Sequence, residues 1–164
     1  MSQTSTGALE APDAVLAEGV ALLEKGRFEQ AKGVFQQVTE RWPAMAEAFL
    51  ALGLASLELG DEAGAERATA RAVQLAPDNG GARYRRAEVL AKLGRFEECV
   101  KELGAAVELS PGEPSPYLAL ARILETSGQS EQALRVLSGG LAALPGQAQL
   151  LEEVRRMRGD SRGD

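Results

Sequence analysis

In the stretch AFLALGLASLEL, residues 48–59, positions three and four apart fall together at about 100° per residue of helix. Phe49, Leu52, Ser56 and Leu59 share one face, and Leu50, Leu54 and Leu57 form a second stripe on a different side. A helix apolar nearly all round needs cover nearly all round. The second stripe has a counterpart 34 residues earlier, in Leu16, Val20 and Leu23. Near the end of the sequence Leu150, Leu151, Val154 and Met157 make a single stripe, with Glu152, Glu153, Arg155 and Arg156 mostly off it. That pattern predicts an amphipathic helix over 148–158.

The spacing of 34 recurs in the punctuation. Gly26, Gly60, Gly94 and Gly128 fall on it, as do Pro43, Pro77, Pro111 and Pro145. A third series, Ala31, Ala65, Cys99 and Ala133, is small throughout. Each period therefore divides into two helices. Glycine closes the first in a left-handed conformation, and proline follows the second, which it cannot continue. The predicted pairs are 12–25 with 28–41, 46–59 with 62–75, 80–93 with 96–109, and 114–127 with 130–143. Ser115 is the predicted N-cap of the seventh helix, with Pro116 in its first turn.

A 34-residue hairpin cannot bury its own apolar faces, so four of them must stack into one core, and the helix at 148–158 must cover the last. The small residues then mark close approaches: Gly19, Gly53, Ala87 and Ala121 share one position on the first helices, and the Ala31 series shares one on the second. The sequence resembles the tetratricopeptide repeat family. In repeat two Phe49, Leu52, Gly53, Gly60, Ala65, Ala72 and Pro77 stand at the family's signature positions. Glu18, Thr69, Arg83 and Arg86 depart from them, standing where large apolar or aromatic residues are usual. The resemblance implies an all-α fold, a right-handed α-solenoid of antiparallel helix pairs. Four repeats occupy 12–45, 46–79, 80–113 and 114–147, and a capping helix occupies 148–158. Residues 1–11 are expected to be a flexible N-terminal segment and 159–164 a disordered tail.

The resemblance also implies that the first helices line a concave groove. Its expected residues are Leu16, Val20, Leu23, Leu50, Leu54 and Leu57 in repeats one and two, then Tyr84, Arg85, Glu88, Leu118 and Arg122 in repeats three and four. Such a groove is apolar at one end and charged at the other, which suits a peptide or helix of another protein. Six aliphatic side chains at up to about 1.5–3 kcal/mol each, less ordering costs, correspond to roughly micromolar affinity. The alternative is that the stripe packs against neighbouring first helices or the chain's own N-terminus, with Leu9 as the plug. In the basic run ARYRRAEVLAK, Arg85 could clamp a ligand carboxylate, or the arginines could simply pair with neighbouring glutamates. The Lys/Asn/Arg clamp of chaperone-binding family members is not expected here, since mainly Leu16, Val20 and Ala51 stand at its positions, with Arg85 the lone match.

Composition narrows the function. A formal net charge of −6 opposes nucleic-acid binding. Histidine is absent, which removes the commonest general base and metal ligand, and Cys99 is the only cysteine. No cofactor, metal site or nucleophile–base pair is expected, so the protein is expected not to be an enzyme. The start of the sequence lacks a secretory leader pattern, and its uncharged runs are too short to span a bilayer. A cytoplasmic protein is expected, and the preponderance of arginine over lysine hints at a bacterial one. Cys99 reads as a small buried thiol, the two RGD tripeptides as a charged tail, and Trp42 as packing at a repeat corner. The expected function is a protein-binding adaptor or scaffold. A small chaperone for a type III-secreted protein and a regulatory subunit docked on an enzyme stay open, as does association of copies through the solenoid ends.

Overall fold

The computed structural model describes residues 11–159, and among them nine α-helices follow one another. They are α1 (Pro12–Glu24), α2 (Phe28–Arg41), α3 (Ala46–Glu58), α4 (Glu62–Leu75), α5 (Gly80–Lys92), α6 (Phe96–Leu109), α7 (Pro114–Thr126), α8 (Ser130–Ala143) and α9 (Ala148–Arg158). The proposed plug Leu9, and the tail beyond Gly159, lie outside the described residues.

The glycines of the 34-residue series turn the chain within each pair. Gly26, Gly60, Gly94 and Gly128 have φ of 70°, 74°, 72° and 78°, a region that a Cβ disfavours. At Gly60 the turn is closed by its own N–H on the Leu57 carbonyl at 3.0 Å and by the Asp61 N–H on the Ser56 carbonyl at 2.8 Å. That satisfies carbonyls the end of α3 would otherwise leave bare. One expectation is corrected. Ser115 does not cap α7: Glu113 is the N-cap residue, and Pro114 begins the helix. Proline's fixed φ suits the first helical position, so the helix starts ahead of Ser115.

The chain divides into two compact units, the first ending at Leu75 and the second starting at Ala76. In the first, α1 packs on α2, α2 on α3 and α3 on α4. Its buried cluster is Ala31, Phe35 and Ala55, with Leu16, Leu22, Leu23, Ala51 and Leu52 partly buried against it. A side chain at Gly19 would run into the Phe35 ring, and one at Gly53 into Thr69 Cγ2. These are the close approaches that the small-residue series marks.

In the second unit α5 packs on α6, α6 on α7, α7 on α8, and α9 on both α7 and α8. Its core is richer in leucine: Leu90, Leu103, Leu120, Leu124 and Leu137 are buried, as is Leu150 of α9. Leu150 and Val154 bury one face of α9 while Glu152, Arg155 and Arg156 stay exposed. Arg156 ties the helix down at its far end, reaching Glu153 at 2.9 Å and Glu125 of α7. No described helix is long and apolar enough to cross a membrane.

Candidate binding surface

The second unit holds an apolar cavity of about 320 Å³ between α5, α6 and α7. Tyr84, Glu88 and Arg122, all expected in the groove, line it. The alanines make room. Ala87, Ala91 and Ala119 are short enough that Cys99 and Leu103 of α6 form the floor, and Ile123 closes a side. Glu88, Lys92 and Arg122 put both signs of charge on the lining.

Sequence reasoning confined the groove to the first helices and so missed Cys99 and Leu103 of α6; it also passed over Ile123, which stands on a first helix, α7. The alanines opposite α6 were the available signal for the first two. Ile123 follows Arg122 directly and is apolar. Burial pushes the Cys99 thiol up to about 11, so at neutral pH it is a neutral apolar surface, not a nucleophile. Burial, and then the Glu88 carboxylate, hold the Tyr84 hydroxyl above the ordinary phenol range.

Two expected groove residues of this unit lie elsewhere. Leu118 packs against the unit's core. Arg85 is exposed and turns to Glu88 at 2.8 Å, with its guanidinium carbon 5.7 Å from the centre of the Tyr84 ring. Its neighbours pair internally too: Arg83 and Arg86 both meet Glu102 at 3.1 Å. The basic run therefore reads as arginines matched to nearby glutamates.

In the first unit the stripe is divided in its use. Leu16 and Leu23 lie partly buried against the Ala31–Phe35–Ala55 cluster, while Val20 is 40% exposed. Leu50, Leu54 and Leu57 are half-buried along α3. On another side of α3, a cavity of about 360 Å³ opens between α2, α3 and α4, with Phe49, Leu52 and Ser56 among its lining. The sequence assigned that face to packing alone. Among the described residues no group of three or more His, Cys, Asp and Glu side chains is placed to hold a metal ion.

Profiles of the tetratricopeptide repeat match residues 16–80, 57–108 and 114–138. This chain is a member of the tetratricopeptide repeat family. Its fold, all-α with sequential antiparallel helix pairs, is shared with solved structures at low identity. PilF of Pseudomonas aeruginosa aligns with a TM-score of 0.80 at 22% identity, over 92% of this chain and 69% of PilF. MamA from Desulfovibrio magneticus RS-1 gives 0.71 at 20% identity, over 91% of this chain and 85% of that one. YrrB, described as a tetratricopeptide repeat protein with an unusual peptide-binding site, gives 0.69 at 22% identity, over 87% and 74%. The search of curated proteins finds no match. Tetratricopeptide repeats are protein–protein interaction modules, and this chain carries that function at the level of its family.

Proposed function

We propose that this tetratricopeptide protein is a non-catalytic adaptor that holds a short peptide or helix of a partner protein on the faces of its first helices. The observation that carries the reading is the α5–α7 cavity. It is apolar within, charged at Glu88, Lys92 and Arg122, and sized for one or two side chains of a bound segment. The exposed Val20 and the half-buried Leu50, Leu54 and Leu57 give the first unit an apolar face of its own. YrrB, which shares the fold, is described by its peptide-binding site. We extend that role, not that site, to this chain.

The test is affinity capture with wild type beside Leu54→Arg and Ile123→Arg, with circular dichroism as the folding control. A guanidinium placed in either apolar surface costs the partner segment its cover there. Both variants should keep wild-type helicity, and at least one should lose the captured protein. Equal capture by all three would remove the groove from the function.

A further inference from the structure

The cavity between α2, α3 and α4 has a specific cause in the sequence. Ser56 stands where the other three repeats carry Leu22, Leu90 and Leu124, and Thr69 where they carry Phe35, Leu103 and Leu137. Both are buried, Ser56 at 1% exposure and Thr69 at 0%. Repeat two thus carries small polar residues at two core positions, and Ser56 is among the residues that line the opening. Phe49 and Leu52 are half-buried beside it.

Its polar lining is basic in a chain of net charge −6. Lys32, Arg67 and Arg71 line the opening against one carboxylate, Asp61. That carboxylate is already engaged, taking Lys32 Nζ at 2.6 Å and the Gly64 backbone N–H at 2.9 Å. These contacts hold it below the usual carboxylate range. Arg71 donates to the neutral Gln74 side chain at 3.4 Å. Arg67, whose charge also acts on Asp61, and Arg71 are both exposed, and they place two cationic forks beside an apolar wall of one aromatic and one leucine.

We propose that this cavity is a second binding site, separate from the α5–α7 cavity, for a segment that presents an aromatic or branched aliphatic side chain next to a carboxylate. The apolar side chain rests on Phe49 and Leu52 in the space a leucine at 56 would fill. The carboxylate meets Arg67 and Arg71. The volume of about 360 Å³ holds one such side chain and its charged neighbour.

The probe is N-acetyl-L-phenylalanine, titrated into the full-length ¹⁵N-labelled chain and followed by amide shifts, beside its uncharged primary amide. Saturable shifts are expected at Ser56, Gly64 and Ala68, with a Kd of about 1 mM, which the size of the probe permits. The primary amide should bind about tenfold more weakly, the scale of a charge-assisted contact. Ser56→Leu, which restores the residue of the other repeats, should abolish the shifts. Arg71→Glu, an exposed change that spares the core, should remove the preference for the carboxylate, and it decides the matter if Ser56→Leu disturbs the fold. Equal binding of acid and amide, or unchanged shifts in Ser56→Leu, would overturn the proposal. So would the absence of saturable shifts. Shifts confined to Tyr84, Ala91 and Ile123 would overturn it while leaving the α5–α7 groove standing.

Discussion

At the scale of single residues, the 34-residue series assigns each small side chain a job, and Cys99 shows how far that goes. It takes the alanine position of its series, is 1% exposed, and forms part of a cavity floor. Burial raises its thiol from the ordinary value of 9.0 to about 11. A group whose folded value is raised holds its proton more tightly when folded. The stability this gives is complete below about pH 9 and is lost as pH rises towards 11. Wild type should therefore lose part of its stability over that window, and Cys99→Ala should keep that part. Urea midpoints at pH 8 and pH 10.5 for both proteins make the comparison. A matching alkaline loss in Cys99→Ala would show that the thiol is not the source.

At the scale of elements, the helices were legible because their signals are local. Glycine at a left-handed turn and proline after a helix act on the residues beside them, and each predicted first helix ends within a residue of its structural end. The Ser115 cap was misread because two prolines compete for the first turn, and Pro114 takes it. What covers each first-helix face is less legible, for a physical reason. A stripe of leucines shows that a face wants cover but not which neighbour supplies it, so Leu16 and Leu118 turned out to lie against core. The helix α9 is the clearest success of pattern reading, and its packing makes a quantitative expectation. Leu150 is fully buried against the second unit's core. Leu150→Ala should cost about 2–5 kcal/mol, the range for emptying a leucine site that cannot collapse. By contrast, Leu151→Ala, at the 38% exposed neighbour, should cost far less. Chemical denaturation of the two variants separates them. Similar small losses would mean that α9 does not seal the second unit.

At the scale of the whole molecule, the two units draw on different materials. The largest fully buried side chains of the second are Leu90, Leu103, Leu137 and Leu150, together with Val89 and Cys99. Those of the first are Phe35 and Val38, then Thr69 and Ser56. Burying a leucine is worth about 1.5–3 kcal/mol, and a buried hydroxyl contributes little of that apolar term. The Thr69 hydroxyl bonds back to the Ala65 carbonyl at 2.9 Å, which satisfies it without adding cross-helix packing. In an array whose stability is the sum of local repeat and interface terms, such a difference should appear as unequal opening. Native-state hydrogen exchange on the full chain should find the slowest amides of α2 to α4 opening at lower free energy than the slowest of α6 to α8. Thr69→Leu supplies the side chain that repeats three and four carry at this position, although Gly53 lies close against the threonine methyl and limits the gain. Ser56→Leu supplies the leucine that the other three repeats carry, at a residue on the wall of the α2–α4 cavity, so it should narrow the gap as well. Equal protection across both sets of helices would mean that the missing side chains of repeat two are compensated elsewhere in its packing, and the cavity beside Phe49 would then carry no cost in stability.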